Sequence, residues 1–269
     1  MKKVYDLNKK SIICYSDSPT PEMWDKQWGI NSDKDLINLH NVSLNTFVSD
    51  ITKRYINCND GAILEGGCGL AQHVNSLFKN GYNVIGIDFA NKTVQILNRL
   101  FPHLNIYQND VRALNLADNS LIGYWSLGVI EHFENGYDDI ASEMKRVIKP
   151  GGFLFITHPY ISPLRKLKIF FKLYPTSVTH TTSGDFYQYI LCKQSTISHF
   201  RSLGFELRLV KPIAGLKGFK DEVKIFNRFL QTLYNYRGSS LIIRSFIYSI
   251  DHLLNLISGH SCLIVLQKK

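Results

Sequence analysis

From Gly61 onward, short apolar runs alternate with longer stretches whose apolar residues recur every three or four positions. The short runs read as strands covered on both faces, and the spaced stretches as amphipathic helices. The pattern predicts strands over 63–64, 83–88, 104–108, 121–127 and 153–157. It predicts helices over 72–80, 93–101 and 137–148 between them. Pro102 stops the second of these helices, and Pro150-Gly151-Gly152 makes the turn into the fifth strand. Strict alternation of this kind predicts a parallel sheet with right-handed crossovers.

The flanks read differently. Residues 1–35 are polar with scattered aromatics, and a helix is expected to start near Glu22, after the loop Pro19-Thr20-Pro21. Trp24 and Trp28 read first as packing residues, with an N-terminal cover as the alternative. Leu36, Leu39, Leu44, Phe47, Val48 and Ile51 form one helical stripe over 35–57. After 157 the spacing lapses into an insertion, 158–192, rich in Pro, Thr and Tyr. A helix over 195–203, a strand over 206–210, helices over 221–236 and 241–257, and a last strand over 262–266 follow. The expected organisation is one domain, 1–269. It comprises a helical cover (1–57), a ligand-binding core (58–157) and substrate-side insertions (158–192 and 212–258).

Candidate chemistry begins at the first core strand. It stops at a carboxylate, Glu65, and three glycines follow within four positions (Gly66, Gly67, Gly69). Strand, glycine turn and helix bring backbone close to a nucleotide-like ligand, where a Cβ would block the approach. Such a turn alone fits dinucleotide enzymes equally. Three features narrow it. The second strand ends in Asp88, roughly 20 residues on, where an acid can accept from a ribose diol. Asn109-Asp110-Val111 places an acid beside an apolar residue, a pair suited to adenine's amine and ring. Lys149-Pro150-Gly151-Gly152 precedes the fifth strand.

With Leu-Glu-Gly-Gly-Cys-Gly (64–69), Gly-Ile-Asp (86–88), Asn-Asp-Val (109–111), Ser-Leu-Gly-Val-Ile-Glu-His-Phe (126–133) and Leu-Phe-Ile-Thr (154–157), the chain resembles the class I S-adenosylmethionine-dependent methyltransferases, small-molecule branch. One departure is Ala71, where the family often has a third glycine; alanine is small enough to serve. The resemblance implies an α/β fold: a seven-stranded, mostly parallel sheet of order 3-2-1-4-5-7-6, strand seven antiparallel, with helices on both faces. It implies S-adenosyl-L-methionine as cofactor. Glu65 would lie near the methionine ammonium, and Gly67 and Gly69 would admit the ligand. Asp88 would bind ribose with Phe89 against the adenosine, and Asp110 and Val111 would hold adenine. Ser126 and Leu127 would face the methionine moiety.

Methyl transfer from a sulfonium is a direct displacement that asks the protein to align, exclude water and accept a proton. His132 is the first candidate base and His158, after the fifth strand, the second. Tyr187 and Tyr189 are candidate pocket or lid residues. The fourth strand lacks the Asn/Asp-Pro-Pro-Tyr/Phe ending of amino-methylating nucleic-acid enzymes, so nucleic acid is not expected. The expected acceptor is a small or lipid-linked molecule, methylated at oxygen. The competing readings are a nicotinamide-dependent oxidoreductase and a catalytically silent cofactor-binding protein.

Charge and cysteines add little. Net charge is 31 − 22 = +9, which suits an anionic partner or surface without requiring one. The five cysteines are scattered, with no CxxC pair, so no zinc ribbon or disulfide framework is suggested. No metal is expected. The segment 164–174, from Leu164 to Tyr174, is basic and apolar without an acid, and suggests either a lid helix or peripheral membrane contact. The most apolar stretch, 241–257, contains Arg244, Asp251 and His252, and the helices over 221–257 are expected to cover the sheet's end and shape the acceptor pocket, or to form a dimer face. A cytoplasmic protein is expected, with peripheral membrane contact left open.

Overall fold

The computed structural model describes residues 1–28, 32–41, 46–176, 185–223, 225, 227–236 and 238–269. The N-terminal part holds β1 (Lys2–Asp6), β2 (Ser11–Ser16), α1 (Pro21–Trp28), α2 (Asp33–Asn41) and α3 (Phe47–Thr52). The core follows as β3 (Ala62–Gly66), α4 (Gln72–Lys79), β4 (Val84–Asp88), α5 (Asn91–Leu100), β5 (Asn105–Gln108), β6 (Leu121–Leu127), α6 (Asp138–Val147) and β7 (Ile148–Pro159). The late elements are α7 (Pro163–Phe170), β8 (Asp185–Ile190), α8 (Lys193–Ser202), β9 (Phe205–Ile213), α9 (Gly215–Glu222), α10 (Asn227–Asn235), α11 (Leu241–Ser258) and β10 (Ser261–Lys268).

The central sheet runs β5-β4-β3-β6-β7-β10-β9. Counted among the core strands this is 3-2-1-4-5-7-6, with β10 antiparallel to both neighbours, as the resemblance implied. Strand alternation divides the apolar side chains between two cores. Ile63, Trp125, Phe155 and Val265 pack on one face, and Leu64, Tyr124, Leu154 and Ile264 on the other. This is why the core strands read as continuous apolar runs. Trp125 ties the first core together: its ring stacks on Phe155 at 4.3 Å, and its Nε1 donates to Thr52 Oγ1 of α3 at 2.9 Å.

The flanks correct several expectations. The first sixteen residues are not a helical cover. β1 and β2 form a hairpin, and β2 pairs with β8 in a separate antiparallel sheet, with Ile12 opposite Ile190. The stripe over 35–57 belongs to two helices, α2 and α3, rather than one. The expected helix over 221–236 is α10 preceded by the end of α9. Leu44, residues 177–184 of the insertion, and positions 224 and 226 lie outside the described residues.

One buried carboxylate joins the accessory elements. Glu222, at the end of α9, accepts from Arg165 Nε at 3.0 Å, from Lys3 and Lys168 at 2.6 Å each, and from the Tyr174 hydroxyl at 2.6 Å. Desolvation would raise its pKa, but Lys3, Arg165 and Lys168 outweigh it and hold the carboxyl down at about 2. A carboxyl depressed in the folded state adds stability above its unfolded pKa near 4.5, and loses it as pH falls toward 2. Glu222→Gln is therefore expected to lower unfolding free energy at pH 7 by about 3 kcal/mol, because it strands buried cations. Urea titration checks this, and the deficit should shrink below pH 4.

Candidate active site

A cleft of about 1020 Å³ opens at the carboxyl ends of β3, β4, β5 and β6. Ligands in open α/β sheets bind there because neighbouring loops diverge at that edge. The loop after β3 is tied to the end of β4. Gly67 N and Cys68 N both donate to Ile87 O, at 2.7 and 2.9 Å. Gly69 N donates to Asp88 Oδ2 at 2.8 Å, and Ala90 N to Asp88 Oδ1 at 2.9 Å.

Gly67 and Gly69 have φ of +74° and +49°. A Cβ on Gly67 would lie 2.5 Å from Val129, and one on Gly69 2.6 Å from Trp28. Conformation and space both demand glycine there. Ala71 also takes a positive φ, +55°, so this position is demanding for its backbone rather than for size.

Two buried carboxylates face this loop. Glu65 is 2% exposed, and its Oε2 has no hydrogen-bond partner among the described residues. Burial pushes its pKa up to about 8, the Val74 amide opposes this, and the nearby Asp88 charge adds to it. Asp88 is also raised by burial, against the amides of Ala90 and Gly69. Phe89 and Val111 line the same cleft. Asp110 lines it too, with its carboxylate gripped by Arg112, Nη2 to Oδ2 at 2.6 Å, which holds its pKa below the usual range.

The sequence-predicted residues part company at β6. Leu127 lines the cleft, followed by Gly128 and Val129. Ser126 does not: it is fully buried between Gly66 of β3 and Ile156 of β7. His132 reaches the cleft from the short 3-10 turn Ile130–His132. Its Nδ1 lies 2.8 Å from Tyr187 O. A carbonyl only accepts, so Nδ1 carries the proton and Nε2 keeps its lone pair. Burial pulls the His132 pKa down to about 4.

His158 is a correction. It is fully buried in β7 opposite Cys262, bonds its neighbour Pro159 O at 2.9 Å, and is absent from the cleft's lining. Strand β7 runs two residues beyond the expected end at 157 and carries His158 into the sheet.

The expected substrate-side insertions do not cover the cleft. No described residue of 158–192 or 212–258 lines the cleft. Tyr187 lies behind His132, with ring centroids 4.9 Å apart, and the buried Tyr189 donates to Glu134 O at 2.8 Å. The far wall comes from Pro19-Thr20-Pro21, Trp24 and Trp28, with Phe133 to Gly136 beside it. Asp25 fastens α1 by accepting from Thr93 N at 3.0 Å and Thr93 Oγ1 at 2.8 Å, at the start of α5. Trp24 stands edge-on to His132, with centroids 4.9 Å apart. This is the N-terminal cover that the sequence offered as the alternative for Trp24 and Trp28, two tryptophans four apart on one helix face.

Fold and cleft together define a Rossmann-like α/β domain with a nucleotide-type site at its strand ends. A family model described as a methyltransferase domain matches residues 64–156. A probable S-adenosylmethionine-dependent methyltransferase of Mycolicibacterium smegmatis is 29% identical over 102 residues, 38% of this chain and 39% of that protein. The 2-methyl-6-phytyl-1,4-hydroquinone methyltransferase of a Synechocystis species is 32% identical over 98 residues, 35% of this chain and 30% of the relative. The match therefore spans less than two fifths of either relative's length. Among solved structures, the [4+2]-cyclase SpnF superposes with a TM-score of 0.57 at 15% identity, covering 95% of this chain and 99% of that one. That likeness is one of fold. Residues 64–156 thus match a methyltransferase domain, and the fold and site are of the kind that uses S-adenosyl-L-methionine as cofactor.

The residues present fit that cofactor. The unpartnered Glu65 oxygen suits a cationic amine, and the glycine loop leaves room that a Cβ would fill. Glu65 stays neutral in the free protein below pH 8, so capture of an ammonium should expel its proton. Affinity for S-adenosylhomocysteine is expected to climb roughly tenfold per pH unit between pH 6 and 8, then level off. Calorimetry in buffers of different ionisation enthalpy checks this, and Glu65→Gln should flatten the slope.

Proposed function

We propose that the chain transfers a methyl group from S-adenosyl-L-methionine to a hydroxyl oxygen of a small or lipid-linked acceptor. The observation that carries this reading is a neutral imidazole, with its Nε2 lone pair free of the Tyr187 bond, at the end of a large aromatic-walled cleft. About 1020 Å³ is at the upper end for ligand sites, and leaves space for an acceptor beside a nucleoside cofactor. Trp24, Trp28 and Phe133 offer flat apolar surface to an aromatic or isoprenoid acceptor. The named substrate of the hydroquinone methyltransferase relative, a hydroxylated ring with a phytyl tail, is of that kind and supports the class.

The bound cofactor supplies an electrophilic methyl group on a sulfonium, open to direct displacement. Glu65, Asp88 and Asp110 hold its polar groups, and Val111 and Phe89 its ring. Trp24 and Trp28 keep water from the reacting end. His132 Nε2 takes the hydroxyl proton. An oxygen gaining a methyl group becomes a strong acid, so this base need not be strong; it must only be unprotonated. A pKa near 4 keeps it so throughout the neutral range.

His132→Ala is expected to lower kcat by about 100-fold or more, with cofactor affinity kept within a few-fold. Wild-type kcat should stay level from pH 8 down to about 5 and fall as the imidazole protonates. The reading itself is tested with labelled methyl donor and a panel of phenols, quinols and prenylated quinols, alongside calorimetry with Asp88→Ala. Transfer to a hydroxylated acceptor, with binding abolished by Asp88→Ala, is the expected result. Tight S-adenosylhomocysteine binding with no transfer would favour a silent binding protein, and NADH binding instead would favour an oxidoreductase.

A further inference from the structure

Helix α11 is fastened to the protein by polar side chains, with Ile247, Ile250 and Leu254 half-buried beside them, and leaves most of its apolar residues exposed. Asp251 Oδ1 accepts from Leu216 N at 2.9 Å, and Asn255 Oδ1 from Gly215 N at 2.7 Å. Ser258 Oγ donates to Gly215 O at 3.0 Å. These three residues, four and three apart, fasten one side of α11 to α9. On the other side Ile242, Phe246, Leu253 and Leu256 are 83, 56, 70 and 72% exposed. Surface helices of soluble domains ordinarily do the reverse.

Exposed apolar side chains recur on neighbouring elements. α11 packs beside α7, and α9 lies against both α10 and α11. Leu167, Phe170, Phe171 and Leu173 are each more than half exposed, and Phe229 of α10 is 63% exposed. Patches of this extent mark interaction surfaces.

Length and composition alone would let the 18 residues of α11 cross a membrane, yet only 6% of the helix is buried in the protein. Its attachments forbid crossing. The second half is bonded to α9, and the chain enters the central sheet at Ser261. The helix can only lie flat on whatever covers it.

Charge selects the occupant. Lys166, Lys172, Arg228 and Arg244 are exposed on or beside these helices. Asp251 is the only acid among the described residues of α7, its following turn, α10 and α11, and it is taken by the Leu216 amide. On α9, Glu222 is held by Lys3, Arg165 and Lys168, and Asp221 by Lys220 and His260. A second copy pairing through the same patch would set these cations against their own kind. An anionic lipid surface meets both the apolar face and the charge.

We propose that α7, α10 and α11 form a docking surface for an anionic phospholipid bilayer, with α11 lying in the headgroup–acyl boundary. This stands independently of the methyl-transfer reading. Within 164–174, Arg165 and Lys168 point inward to Glu222, while Lys166 and Lys172 are exposed.

The test is flotation of the full chain with phosphatidylcholine vesicles, with and without phosphatidylglycerol. Binding is expected with phosphatidylglycerol, and about tenfold less or weaker still without it. Phe246→Glu with Leu253→Glu should reduce that binding at least about tenfold, with the thermal melt unchanged because both residues face outward. Lys166→Glu with Lys172→Glu is a second pair that leaves the apolar face intact, and should reduce binding to anionic vesicles by a similar factor. No flotation with anionic vesicles, or flotation that neither pair of substitutions reduces, would overturn the proposal. So would a dimer in light scattering that Phe246→Glu with Leu253→Glu dissociates, in a protein that ignores vesicles.

Discussion

The site depends on one carboxylate at the end of β4. Asp88 accepts from Gly69 N with one oxygen and from Ala90 N with the other, so it fixes the glycine loop of β3 and the entry to α5 together. These amide bonds partly offset the burial that disfavours its charge. Each oxygen keeps a further lone pair, so the group that shapes the loop can still accept from a ligand. Gly67 and Gly69 are forced by this arrangement. A loop tied this closely to the next strand must take positive φ, and its space is filled by Val129 and Trp28.

A second carboxylate plays the same part for the accessory layer. Glu222 gathers Lys3 from the hairpin, Arg165 and Lys168 from α7, and the Tyr174 hydroxyl. Cations that look available in sequence are thereby drawn inside. The N-terminal hairpin is held to the late helices, and β2 pairs with β8 beside Tyr187, whose carbonyl sets the His132 tautomer.

The central sheet was legible because its signals are local. Apolar runs, glycines and strand-end acids lie within a few residues of each other between 62 and 157. The parallel alternation and the place of the acids at successive strand ends follow from topology rules that need no distant partner, whereas the strand order was implied by the family resemblance. What was missed depends on pairings across long separations. Residues 11–16 are short and mixed, and become a strand by pairing with Asp185–Ile190. Arg165 reads as a surface cation until Glu222, 57 residues on, is placed against it. His158 reads as a rim residue until β7 proves long enough to bury it opposite Cys262. Ser126 reads as a strand-tip residue, whereas the parallel register with Gly66 and Ile156 sinks it below the cleft floor.

The same reasoning separates the two apolar features of this chain. Trp24 and Trp28 are apolar, partly exposed and carried on a helix without a buried residue, but that helix is fastened over a cleft and its rings close a wall. α11 is apolar and exposed as well, but its polar residues are the ones that bind the protein. Its inward side half-buries Ile247, Ile250 and Leu254 beside Asp251 and Asn255, and two side-chain acceptors fix it on the backbone amides of α9. Ile242, Phe246, Leu253 and Leu256 are left without cover on the other side. Apolar surface left open on a fastened helix is accounted for by an apolar phase outside it.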